Sequence, residues 1–235
     1  MKIFGEETGA YEGNEQSNIS IEIDPIDGTE TFKFGTGEGW AILIGVYRDI
    51  DGRREQIAGV TYFPEKQKLM YYLKDHGVFI SNLQAHETYK APAIGEQNDL
   101  KKKMMVRMWK HTDEGRRGGV QRIEEDLRQT GAHFRLTNSS AEDALEAVET
   151  GGQRIIIYDG DMIRVDYIPH KALVSLGYKM YIWQGARAGE EVQPEDITIE
   201  DKKIVLIPPG TAGKEVLRLL SKYRTEGLSQ PPEST

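Results

Sequence analysis

Asp24 and Asp27 stand three residues apart in the string Asp24-Pro25-Ile26-Asp27-Gly28-Thr29. Two carboxylates brought into one space cannot both stay ionised cheaply without a cation between them. A hard divalent ion answers that need, because Mg²⁺ takes oxygen ligands and keeps several of its waters. Gly28 lets the backbone approach an anion closely. Thr29 offers a hydroxyl and a backbone N–H at the start of a helical turn, where phosphate oxygens bind well. The plain alternative is an acidic, solvated turn that caps a helix, since Asp and Gly populate turns readily. An EF-hand Ca²⁺ loop does not fit, because the alternating ligand positions and the closing Glu are missing. Far along the chain, Asp166 precedes an apolar run and reads as a helix N-cap.

Those acids need elements to position them. Ile19, Ile21 and Ile23 alternate with Ser20 and Glu22, the period-2 pattern of a half-buried strand. Pro25 and Gly28 then predict a turn at its end, and residues 5–18, rich in Gly, Glu and Asn, read as a loop. Strands are expected over 40–47 and 56–63, joined around Asp51-Gly52, and over 69–73 and 78–81 around Asp75-His76-Gly77. The second half alternates: strand 104–109, helix 113–129, strand 133–136, a helix from Ser140 to Gly151-Gly152, and strand 154–158. A helix over 165–176 has Asp166 as its N-cap and tolerates Pro169 in its first turn. Strands 178–183 and 204–207 and a helix over 211–223 complete the pattern. The expected organisation is an antiparallel sheet portion over 1–100, an αβ portion over 101–224 and a disordered, Pro- and Ser-rich tail over 225–235.

Composition narrows the classes. The 235 residues carry 30 Lys+Arg against 38 Asp+Glu, a formal net charge of −8, which argues against a nucleic-acid partner. A small phosphorylated substrate stays compatible, because a bound divalent ion supplies positive charge locally. With no cysteine, disulfides, thiolate catalysis and Cys-type zinc sites are excluded. No run approaches the ~18 apolar residues that span a bilayer, so no membrane partner is expected. The start, Met1 to Phe4 and then Gly5-Glu6-Glu7, shows no signal-peptide apolar region, and the expected setting is cytoplasmic. Gly210-Thr211-Ala212-Gly213-Lys214 hints at a phosphate loop but lacks the Walker spacing and reads as a helix start. The five histidines show no metal spacing; His170, near Asp166, is the one worth testing as a substrate contact.

Residues 24–29 resemble the signature of the inositol monophosphatase family of metal-dependent, lithium-sensitive phosphatases. Gly5-Glu6-Glu7 matches the family's upstream Gly-Glu-Glu, and the strand from Trp40 to Gly45 its strand after the signature. Gly59-Val60, Tyr72 and Gly77-Val78-Phe79 track the hairpin region. Ser139-Ser140-Ala141 is similar to the start of the family's Gly-Ser/Thr-Ala helix. Of the second signature, Trp-Asp followed by small residues, Asp166 and the apolar helix face are kept, while Val165 replaces Trp. The family also carries an earlier segment with two helices and a Thr-Asp pair, whereas this chain begins four residues before Gly5. A sheet face left uncovered in that way should favour oligomerisation.

The resemblance implies a layered α+β sandwich of the inositol monophosphatase/fructose bisphosphatase type. It implies metal ligands at Glu6, Asp24, the Ile26 carbonyl, Asp27 and Asp166, all oxygens, which suits Mg²⁺ or Mn²⁺. Gly28 and Thr29 would bind phosphate through backbone N–H groups, and Thr29 with Glu6 would position the attacking water. Ser140 and Asp159 would meet the substrate, with Asp161 a rival for the latter place. The implied activity is hydrolysis of a small soluble phosphomonoester, an inositol or other sugar phosphate, by a homodimer. A nucleotide 3′-phosphatase, a histidinol-phosphate phosphatase and a catalytically weak metal- and phosphate-binding relative are the alternatives.

Overall fold

The computed structural model describes residues 1–6, 9–13, 17–34, 39–100, 105–110, 117–137, 139–159, 164–198 and 203–223. The expected tail over 225–235 and the starts of the strand at 104 and of the helix at 113 lie outside them.

The first half forms one eight-stranded sheet from β1 (Lys2–Gly5), β2 (Gly9–Glu12), β3 (Ile19–Asp27), β4 (Ala41–Ile50), β5 (Arg53–Phe63), β6 (Lys68–Leu73), β7 (Gly77–Asn82) and β8 (Glu87–Lys90). Its order is β2-β1-β3-β4-β5-β6-β7-β8. Every pairing is antiparallel except β1 with β3. A short helix, α1 (Thr29–Phe34), follows β3 directly. Part of the segment expected as a loop is therefore a strand: β2 folds back on β1 in a hairpin. Gly13 permits the hairpin ends to close, because a Cβ there would meet the Met1 carbonyl oxygen at 2.3 Å.

The second half supplies β9 (Met105–Lys110), α2 (Arg117–Gln129), β10 (His133–Thr137), α3 (Ser140–Glu149), β11 (Arg154–Asp159), a 3₁₀ turn (Arg164–Tyr167) and α4 (Ile168–Ser175). β12 (Lys179–Ile182), β13 (Glu191–Val192), β14 (Lys203–Ile207) and α5 (Thr211–Leu220) follow. Its six strands run in the order β10-β9-β11-β14-β12-β13, parallel across the first three and antiparallel beyond. The helix expected from Asp166 begins later, at Ile168: Asp166 lies inside the 3₁₀ turn and Tyr167 holds the cap position with no side-chain bond. Gly210 precedes α5, whose first amide, Thr211 N, donates to Asn98 Oδ1 at 2.9 Å.

The layers follow from the burial pattern. Alternate residues of β3, β4 and β5 (Glu22 and Asp24, Leu43, Thr61 and Phe63) are buried on one face of the large sheet, against α3 and α4. The other side of α3 and α4 meets the smaller sheet through Ile156, Tyr158, Met180 and Leu206. That sheet's far face packs Ile155, Ile157 and Val205 against α2 and α5 through Ile123, Leu127 and Val216. The outward face of the large sheet presents Ile21, Ile23, Ile42, Ile44 and Val60, all half-buried. This is the α+β sandwich, and it brings the end of β3, the start of α3 and the 3₁₀ turn to one place. Among the described residues no helix is long and apolar enough to cross a membrane.

Candidate metal centre

A β-bulge creates the acidic pair. Asp24 lies opposite Leu43 of β4 and Asp27 opposite Ala41, so three steps on β3 match two on β4. Residues three apart on a regular strand point to opposite faces. The extra residue reverses that alternation and turns both carboxylates inward. Asp24 is 1% and Asp27 7% exposed. The turn expected at Pro25 is thus the bulged end of the strand itself. Pro25, having no N–H to donate, costs nothing where the ladder is broken. Asp24 Oδ1 accepts from the Ile26 N–H at 2.7 Å and fixes the bulge from within.

Beyond the bulge, Gly28 has φ +82°, and a Cβ there would lie 2.5 Å from the Gly39 carbonyl oxygen. Only glycine meets both conditions. α1 starts at once: Phe32 N donates to the Gly28 carbonyl at 3.1 Å, and Thr29 Oγ1 donates to the Ile26 carbonyl at 2.9 Å. The Thr29 hydroxyl proton is committed there, which leaves its lone pairs to accept.

Asp166 arrives from the 3₁₀ turn. One carboxylate oxygen from each of Asp24, Asp27 and Asp166 lies within 4.8 Å of the other two, with Asp166 half-exposed and the other two buried. Oxygen donors so grouped fit a hard cation. The start of α3 grips the middle member. Ser139 Oγ donates to Asp27 Oδ2 at 2.8 Å, Ala141 N to the same oxygen at 3.0 Å, and Ser140 Oγ to Oδ1 at 3.3 Å. Burial pushes the Asp27 carboxyl up to about 6; the Ser139 and Ala141 bonds oppose that, the Asp24 charge adds to it, and the Ser140 bond again opposes it.

Behind this group Tyr158 of β11 and His170 of α4 form a buried pair, Oη to Nε2 at 2.9 Å. Burial pushes the Tyr158 hydroxyl far up, helped by the charges of Asp143, Asp27 and Asp166. Burial pushes His170 down to about 3, so it is neutral. His170 is 0% exposed, and this removes it as a substrate contact; it is a core residue beneath the acids.

The other expected site residues fall as follows. Glu6 follows β1, and its N–H donates to the Ile23 carbonyl at 3.1 Å, one residue before Asp24. Its side chain is exposed and is not one of the three grouped acids. Ser140, expected at the substrate, donates its hydroxyl proton to Asp27 Oδ1. Asp159 ends β11, but its side chain, like the whole of Asp161, lies outside the described residues. Sequence reasoning missed Ser139 and Tyr158. The pattern Ser139-x-x-Glu142 is a helix-start signature that marks the first. Tyr158 sits in a run of isoleucines that signals only a buried strand.

The family model for the inositol monophosphatase family matches residues 1–156, and the chain belongs to that family. Solved structures similar to it include the extragenic suppressor protein SuhB from Bartonella henselae, at 18% identity and a TM-score of 0.73 over 94% of this chain and 76% of that one. SaIMPase-II is similar at 18% identity and a TM-score of 0.70, over 96% and 77%. An IMPase of Thermotoga maritima matches at 18% and 0.69, over 94% and 74%. No curated protein sequence matches.

Proposed function

We propose that this chain is a metal-dependent phosphomonoesterase that hydrolyses a small soluble phosphate, an inositol phosphate or related sugar phosphate. The observation that carries the reading is the convergence of Asp24, Asp27 and Asp166 beside Gly28 and Thr29 at the start of α1. Mg²⁺ or Mn²⁺ would be held by those three acids, with the Ile26 carbonyl and Glu6 as further oxygens. When bound, such an ion neutralises phosphoryl oxygens and lowers the pKa of a water. The protein's own share is orientation. The Gly28 and Thr29 N–H groups bind phosphate oxygens, and Thr29 Oγ1, its proton given to Ile26, accepts from the attacking water with Glu6. Water and the monoester yield an alcohol and inorganic phosphate.

SaIMPase-II has been solved with 2′-AMP and with inositol monophosphate bound, so both belong in the test. Phosphate release from inositol monophosphate, 2′-AMP and histidinol phosphate is measured with and without Mg²⁺, on the parent and on Asp27→Asn. The expected result is Mg²⁺-dependent release that disappears in the variant. Release indifferent to Mg²⁺ and to Asp27→Asn, or none from any ester, overturns the reading; Mg²⁺ binding without release leaves the weak relative. The proposal extends to a homodimer, supported by the half-buried apolar face of the large sheet. A single monomeric species in sedimentation velocity removes that extension.

A further inference from the structure

Among the described residues three donors fall on Asp27, and their arrangement is unequal. An ionised carboxylate has roughly four acceptor sites, two on each oxygen. Ser139 Oγ and Ala141 N fill both on Oδ2, while Ser140 Oγ takes one on Oδ1. Among the described residues no donor takes the remaining site, which is on Oδ1. The Ser139 hydroxyl is itself held in direction: its oxygen accepts the Glu142 N–H at 3.1 Å as the cap of α3, so its proton points at Asp27.

The geometry points to Ser139 as a positioning residue that, with Ser140 and the Ala141 amide, restricts Asp27 to one-oxygen coordination and selects which oxygen a cation receives. This rests on the metal reading of the site given above. A carboxylate limited in this way suits Mg²⁺ and Mn²⁺, which take near-octahedral shells of single oxygens, and disfavours Ca²⁺, which accepts both oxygens of one carboxylate and a larger shell. Hydrogen-bonding partners behind a metal ligand are worth about 10–100-fold in affinity.

Capping and gripping are separable. Glycine is a tolerated helix N-cap but has no hydroxyl, whereas threonine keeps both functions. Binding of Mg²⁺, Mn²⁺ and Ca²⁺ to the full chain is measured by calorimetry for the parent, Ser139→Gly and Ser139→Thr, with circular dichroism to verify the fold. Ser139→Gly is expected to bind Mg²⁺ about 10-fold or more weakly, with a smaller loss for Ca²⁺, so that the Ca²⁺-to-Mg²⁺ affinity ratio rises. Ser139→Thr is expected to return both to near the parent values. Unchanged Mg²⁺ affinity and ratio in Ser139→Gly, or failure of threonine to restore them, overturns the inference while leaving the metal site standing. Should Ser139→Gly not fold, Ser140→Ala tests the same arrangement from the other oxygen: Oδ2 stays filled by Ser139 and Ala141, so the Ca²⁺-to-Mg²⁺ ratio should stay near the parent value, and a risen ratio overturns the inference. A parent that binds none of the three ions removes this inference together with the metal site on which it rests.

Discussion

Glu22 and Asp27 are buried carboxylates on the same face of the same strand, and the protein treats them differently. Burial pushes Glu22 up, and Arg54 opposes it through its charge and its bond, with Nη1 2.8 Å from Oε1. The guanidinium also lies over the Tyr47 ring, 3.8 Å from its centre, so the counter-charge is packed in place. Asp27, one bulge further along, receives among the described residues only neutral donors, two hydroxyls and an amide, and has Asp24 beside it raising its pKa. Glu22 carries its cation with the fold; on the function proposed above, Asp27 leaves that place for an ion from solution. The difference separates two residues that look alike in burial and charge.

The largest effect is expected where the built-in cation is removed. Arg54→Met strands Glu22 in the interior and should cost about 3–5 kcal/mol in urea unfolding. The double variant Glu22→Gln/Arg54→Met should recover most of it, and no recovery would break the assignment of Glu22 as a paired structural acid. At the other end of the strand, Asp27→Asn should lower Mg²⁺-dependent turnover by more than about 100-fold, beyond the range of residues acting behind a ligand. It should leave the fold intact, since no resident ion pair is lost. Gly28→Ala sharpens the comparison by straining the bulged end without changing charge. Its positive φ and the close Gly39 carbonyl predict a loss of about 1–3 kcal/mol in the same unfolding assay.

The smallest expected effect is a slope with pH. In metal-free protein Asp27 holds its proton up to about 6 in the folded state against 3.8 as the ordinary value. The folded state therefore binds more protons between those values, and this group's favourable contribution, full below about 4, is lost as pH rises through about 6. Melting temperatures across pH 4–7 should show this fall in the parent and a flatter profile in Asp27→Asn. Saturating Mg²⁺ should flatten the parent as well, because the ion favours the ionised carboxylate.

Much of this was legible in the residues. The alternation Ile19-Ser20-Ile21-Glu22-Ile23 placed β3, and the family signature at 24–29 placed the acids at its end. The bulge was not legible, because Pro25 and Gly28 suggest a turn as strongly as they suggest a broken ladder. β2 escaped because four residues without alternation become a strand only by pairing with β1. For Asp166 the sequence offered two roles; the structure ends the capping one, with α4 beginning two residues later, and groups the carboxylate with Asp24 and Asp27. His170 misled because proximity in sequence to Asp166 says nothing of depth. Its burial depends on how α4 packs between the two sheets, a tertiary fact with no local signal.

A crystal grown with Mn²⁺ and measured for anomalous scattering tests the central claim directly. The account predicts a Mn²⁺ peak bound by carboxylate oxygens of Asp24, Asp27 and Asp166, with Asp27 contributing through Oδ1. At saturating Mn²⁺, clear density for the three side chains with no peak among them would contradict it.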